Sequence, residues 1–144
     1  MNRGDVAVMI ATALDLSSTA NTKYEDLGSA IAPSRAQGLR EAGIMTGTTS
    51  YRFSPNATVS KQEAAIIIAN MYRYLNQDLS KAYNELNSSF TDISNLTLDA
   101  RQSIAILELF GVVEGSGAFN PTQKLSRGQF AELIYKSLKA IDFL

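Results

Sequence analysis

The sequence predicts an all-α fold of repeated helix-loop-helix units. Three observations predict it. One polar phrase, a small residue, a cation, a spacer and an acid or amide, occurs three times: Asn2–Asp5, Ser60–Glu63 and Ser126–Gln129. Each copy precedes an apolar run, "VAVMIATAL", "AAIIIANMY" or "FAELIYKSL", of helical length. The two complete copies are embedded in longer matched stretches, with Ser60 and Ser126 66 positions apart.

Around those serines "YRFSPNATVSKQE" matches "GAFNPTQKLSRGQ", pairing Phe53 with Phe119 and Pro55 with Pro121. Further upstream "LREAGIMTG" matches "LELFGVVEG", pairing Leu39 with Leu107, Gly43 with Gly111 and Gly47 with Gly115. Each unit opens on an aromatic and an acid, "YEDL" from Tyr24 and "FTDI" from Phe90. The chain therefore reads as one domain of two and a half repeats over 1–144. Residues 2–16 are the back half of a first repeat, 24–75 a second, 76–89 a linker and 90–141 a third.

The elements follow in order. A first long helix spans about 3–15. The segment "PSRAQGLREAG" is a helix with Ala36 and Leu39 inward and Gly43 just past its end, where glycine takes the left-handed conformation that closes a helix. A loop with Gly, Phe and Pro follows, too broken for more than a turn or tiny strand. The next helix covers 61–75 and is apolar nearly all round from Ala64 to Ala69, so it is buried. Leu79, Tyr83 and Leu86 have helical spacing and make the linker a short surface helix. Leu98–Phe110 repeats the first helix, with Ile104, Leu107 and Phe110 on one face and Gly111 as its stop. The last helix covers 127–139. The three helices that follow the polar phrase are placed together as a central bundle, with the others outside.

Ser60 with Glu63 and Ser126 with Gln129 are capping boxes: the hydroxyl accepts a first-turn N–H while the acid or amide reaches back to the cap N–H. Asn2 with Asp5 is a weaker version. Capping leaves the cation unexplained. Arg3, Lys61 and Arg127 each stand at the first helical position, where the macrodipole is already positive. Two readings stand: solvated surface cations paired with nearby acids, or anion sites built from a cation and free helix-start N–H groups. Asp26 and Asp92 are read as turn or cap residues or as ligand contacts. Phe53 and Phe119 are read as core, and Tyr51 as a ring that stacks on a ligand.

This combination resembles the S-layer homology family. It consists of aromatic-x-Asp, Gly-Ile/Val-x-x-Gly, Phe-x-Pro and Ser-Arg/Lys-x-Glu/Gln, in this order and spacing in two full copies. The resemblance covers almost the whole chain. It implies a pseudo-threefold arrangement of the repeats around a central three-helix bundle. It also implies binding of secondary cell-wall polysaccharide, often bearing ketal-linked pyruvate, in grooves between repeats. The implied contacts are Arg3, Lys61 and Arg127, with the glycine loops at Gly43, Gly47, Gly111 and Gly115. Lys61 stands where the family has Arg, and Gln129 where it has Glu. Arg127, an Arg in a complete repeat, ranks first among the cations.

Composition excludes other classes. The chain is 45% hydrophobic and 19% charged, with a net charge of −1, so nucleic acid has no electrostatic claim on it. It contains no Cys and no His, which removes the thiol nucleophile, the commonest general base and the commonest metal ligands. No phosphate-binding glycine motif or metal-spaced carboxylate cluster is present, so no cofactor, metal or catalytic residue is assigned. No apolar run is long enough to insert into a membrane. A non-catalytic anchor in the cell wall or S-layer of a bacterium is the leading reading; a helical-repeat protein-interaction or S-layer assembly module is the alternative. No signal peptide precedes the first helix; an exported parent would have carried one. The incomplete first repeat is expected to expose apolar surface beside Val6 and Ile10, and so to favour either a homo-oligomer or a longer native chain whose upstream residues cover it. Asn56, Asn87 and Asn95 head glycosylation-type triplets that are read as chance.

Overall fold

The computed structural model describes residues 1–84 and 88–144. Leu86 of the predicted linker helix and the triplet at Asn87 lie outside them. Six helices are found among the described residues: α1 Arg3–Ala13, α2 Pro33–Glu41, α3 Lys61–Tyr74, α4 Ser80–Asn84, α5 Leu98–Leu109 and α6 Arg127–Lys139. No β-strand occurs among them; isolated bridges join Asn2 to Thr58, Ser60 to Lys124 and Phe90 to Gly117. The chain divides into two compact units, Met1–Val59 and Ser60–Leu144.

In the first unit α1 starts on a full capping box. Asp5 N–H donates to the Asn2 side chain at 2.8 Å, and Asn2 N–H donates to the Asp5 carboxylate at 3.2 Å. The shorter Asn–Asp pair thus does the work of Ser–Glu. α2 has no side-chain cap and starts instead on Pro33, whose missing N–H costs nothing at a helix start. It packs on α1 and buries Ala36 and Leu39 completely. Gly43 follows at φ 71°, as the helix stop requires.

In the second unit α3 and α5 make the main helix pair, and α4 lies against α5. Ala64, Ala65, Ile68 and Ala69 have no exposed surface, matching the all-round apolar pattern of α3. The Tyr72 hydroxyl donates to the Ser137 carbonyl of α6 at 2.8 Å, and burial pushes its pKa up to about 12. Thr97 caps α5, Gly111 closes it at φ 70°, and Ser126 with Gln129 forms the capping box of α6.

The compact units are out of phase with the sequence repeats by half a repeat. The first unit joins α1, the back helix of the first repeat, to α2 and the loop of the second. In the second unit α3 pairs with α5 in the same way. The reason is the apolar run after each cap, which finds its partner in the front helix that follows it. The apolar surface expected beside Val6 and Ile10 is narrowed by this arrangement: both are fully buried, because α1 packs on α2 without the front half of its own repeat, and Val8 between them is 39% exposed.

Candidate functional site

The same constellation is built twice, once in each unit. In the first, Phe53 is fully buried and Tyr24 meets it edge-on, with ring centroids 5.4 Å apart and planes at 63°. The Arg3 guanidinium lies 5.0 Å from the Phe53 ring centre. In the second, Phe119 is fully buried, Phe90 meets it edge-on at 5.2 Å and 65°, and the Lys61 ammonium lies 4.6 Å from the Phe119 ring centre. A cation over an aromatic face is attracted by the ring quadrupole. The cation at the first helical position therefore serves a contact that sequence periodicity cannot display.

Asp26 and Asp92 hold these loops in shape. Asp26 accepts from the N–H groups of Phe53 and Ser54, both at 2.8 Å. Asp92 accepts from Phe119 N–H at 2.8 Å and Asn120 N–H at 2.9 Å. Ser54 and Asn120, each preceding a proline, sit at φ 57° and 60°. That conformation is unfavourable for a residue with a Cβ, and the carboxylate clasp stabilises it. The hydrogen bonds from Phe119 and Asn120 hold the Asp92 carboxyl below its ordinary range. For Asp26 burial pushes upward, but the Phe53 and Ser54 N–H groups, helped by Arg52, outweigh it and the net direction is down.

The helix-start N–H groups of α1 and α3 are not free, which corrects the simplest form of the anion-site argument. Arg3 and Gly4 N–H donate to the Ala57 and Pro55 carbonyls, both at 2.8 Å. Lys61 and Gln62 N–H donate to the Gln123 and Pro121 carbonyls at 2.8 and 2.9 Å. The third N–H of each helix goes to its cap. Loop carbonyls thus neutralise the helix end before any ligand arrives.

The three cations differ in what surrounds them. Arg3 donates from Nε to the Phe53 carbonyl at 3.0 Å and from Nη2 to the Thr46 carbonyl at 2.5 Å, so part of its fork is spent on the loop. Lys61 is half-buried, and burial pulls its ammonium below its usual range while Asp92 opposes the shift. It overlooks a cleft of about 410 Å³ whose wall includes Gly111, Glu114, Gln129, Glu132 and Lys136. Arg127 is exposed at the start of α6.

The four loop glycines separate into two kinds. Gly43 and Gly111 supply left-handed backbone with open space around the missing side chain. A Cβ on Gly47 would instead meet the Arg52 and Thr49 carbonyls and the Tyr24 ring, and one on Gly115 would meet the Glu108 carboxylate. Gly111 lines the Lys61 cleft, whereas Gly47 lines a smaller cleft with Tyr24 and Arg40. Tyr51 is 55% exposed on the same loop as Gly47. Sequence reasoning missed the polar residues of α6 that wall the Lys61 cleft, because they read as an ordinary solvated helix face. It missed Arg40 for the same reason. The hydroxyl-rich run Thr48–Ser50 beside a glycine was the available signal.

Residues 24–65 match the S-layer homology domain family. The chain is 36% identical over 102 residues to an endoglucanase of Bacillus sp. (strain KSM-635), an alignment covering 68% of this chain and 10% of that protein. It is 25% identical over 149 positions to the surface-layer 125 kDa protein of Lysinibacillus sphaericus, covering 99% of this chain and 12% of that protein. The chain thus spans about a tenth of the length of these curated relatives. The matched segment runs from the aromatic-Asp opening through the glycine loop to the cap and cation of α3, and on that match residues 24–65 are an S-layer homology domain.

Proposed function

We propose that this chain is a non-catalytic module that anchors a larger protein to the cell envelope by binding secondary cell-wall polysaccharide. Its place is the bacterial cell surface, in the wall or S-layer. The observation that carries the reading is the cleft under Lys61. A half-buried cation, a glycine loop and the polar face of α6 converge there on one open space. A sugar offers hydroxyls to such a wall, and a pyruvate ketal offers a carboxylate to the ammonium. Lys61 becomes the leading contact. Arg3 follows, part-committed to its own loop, and Arg127 contributes through an exposed fork. Gly43, Gly47, Gly111 and Gly115 shape the loops, Asp26 and Asp92 brace them, and Tyr51 offers a ring to a sugar face.

A protein-interaction module would present an apolar groove. The Lys61 cleft mixes apolar groups such as Val112, Val113 and Leu133 with Lys61, Glu114, Gln129, Glu132 and Lys136, and these polar and charged groups favour the glycan. Among the described residues no helix is long and apolar enough to cross a membrane. Homo-oligomerisation remains a proposal that the burial of Val6 and Ile10 does not support. Co-sedimentation with purified cell-wall sacculi, before and after removal of the secondary polysaccharide, tests the function. Retention that survives the removal refutes it.

A further inference from the structure

The last residue of the polar phrase is an acid in two copies, Asp5 and Glu63, and an amide in the third, Gln129. Gln129 is also exposed in the wall of the Lys61 cleft. We propose that Gln129 selects the charge of the ligand there: its side-chain amide donates to a carboxylate on the saccharide, which an acid at this position would repel. The inference rests on the polysaccharide reading and adds to it the residue that makes the cleft specific for an anionic sugar.

The helix cap fixes which end of the side chain is offered. Ser126 N–H donates to Gln129 Oε1 at 2.9 Å, and Gln129 N–H donates to the Ser126 hydroxyl at 3.1 Å. The amide oxygen is thus held at the helix start, and Nε2 with its two protons is the end left for the cleft. A carboxylate set against the Lys61 ammonium has a second oxygen to satisfy, and an amide N–H in the same wall suits it.

The other two boxes supply the contrast. Asn2 N–H donates to one oxygen of Asp5, and Ser60 N–H donates to one oxygen of Glu63. The same cap at Gln129 therefore needs only an oxygen, which an acid or an amide provides equally. The macrodipole would even favour the acid at a helix start. The fold gives no reason for an amide here.

The charge of the cleft gives one. Its wall carries Lys61 and Lys136 against Glu114 and Glu132, so these charges cancel. Glu132 and Lys136 are already paired at 2.9 Å. Asp92, which also acts on Lys61, is taken up by the Phe119 and Asn120 N–H groups. A Glu at position 129 would leave the wall net negative beside the ammonium that has to hold the ligand's carboxylate. Gln leaves it neutral and replaces an acceptor with a donor.

The test titrates the whole chain, at constant ionic strength, with a methyl hexopyranoside carrying a 4,6-linked pyruvate ketal. Its methyl ester serves as the uncharged counterpart of the same shape. The wild type should bind the acid roughly tenfold or more tightly than the ester. Q129E keeps the cap, so its urea midpoint should equal or exceed that of the wild type. It should nonetheless lose roughly tenfold or more in affinity for the acid, while its affinity for the ester changes by less than about twofold. The Gln129 side-chain amide resonances should shift saturably with the acid in NMR spectra. A Q129E chain with the wild-type preference for acid over ester would overturn the proposal. So would an amide that does not shift at saturation, or a wild type that binds acid and ester equally. Sedimentation with sacculi separates the two readings. A wild type that is not retained refutes the polysaccharide reading, whereas equal retention of the wild type and Q129E refutes the role of Gln129 alone.

Discussion

Gly43 and Gly47 are four residues apart in one loop, yet alanine should damage them by different mechanisms and to different degrees. Gly43 lies at φ 71° with nothing near its missing side chain, so Gly43→Ala adds backbone strain alone. Left-handed backbone costs an L residue roughly 1–2 kcal/mol, and the stiffer unfolded chain returns about 0.4–1 kcal/mol, leaving a net loss of about 1 kcal/mol. Gly47 has no left-handed backbone to preserve. Its Cβ would collide with the carbonyl oxygens of Arg52 and Thr49 as well as the Tyr24 ring. Two of those obstacles are main chain, so the loop itself must move, and overpacking of that kind costs roughly 1–3 kcal/mol or more. With a urea m-value of about 2 kcal/mol/M, Gly43→Ala should lower the midpoint by about 0.5 M and Gly47→Ala by about 1 M or more. The side-chain series separates the mechanisms. Asn tolerates left-handed backbone, so Gly43→Asn should be milder than Gly43→Ala, while Gly47→Asn should be worse than Gly47→Ala. Equal midpoints for the two alanine variants, or a series at 43 that follows size, would refute the division of these glycines into conformational and steric.

Ser60→Ala removes the hydroxyl that accepts Glu63 N–H and should cost about 1 kcal/mol in urea denaturation, with Ser60→Gly costing less. Lys61→Ala should weaken binding to wall polysaccharide by roughly tenfold or more in titration calorimetry, from the loss of one charge-assisted contact of about 1.5–3 kcal/mol, whereas Lys61→Arg should bind at least as well as the wild type. Arg127→Ala should cost less than Lys61→Ala, and the reverse order would place the principal contact on α6. The Asp26 and Asp92 carboxyls have depressed folded pKa values, so their stabilisation is fully present above the unfolded value near 3.8 and is lost as pH falls below it through the folded values. Urea midpoints should therefore fall as pH drops below about 4, and the double Asp→Asn variant should show a shallower fall; an unchanged slope would remove the clasps as its cause.

What the sequence by itself determined is local. The bounds of α1, α3, α5 and α6, the capping boxes, the glycine stops and the burial of Phe53 and Phe119 were all legible. Each depends on interactions within a turn or two of helix, or on an apolar residue that has no alternative to burial. The repeat pattern and its family resemblance were legible because they are properties of order and spacing. The tertiary structure alone decided the rest. Asp26 and Asp92 reach N–H groups 27 and 28 residues away. The first N–H groups of α1 and α3 take carbonyls of loops more than 50 residues distant in sequence. Arg3, Lys61 and Arg127 occupy identical local positions, yet one is bound to loop carbonyls, one overlooks a cleft and one is exposed. A helix start specifies its own cap because the cap partner is three residues away. What covers the cation beside it is set by which loop the fold brings to that helix end, and no local pattern records that.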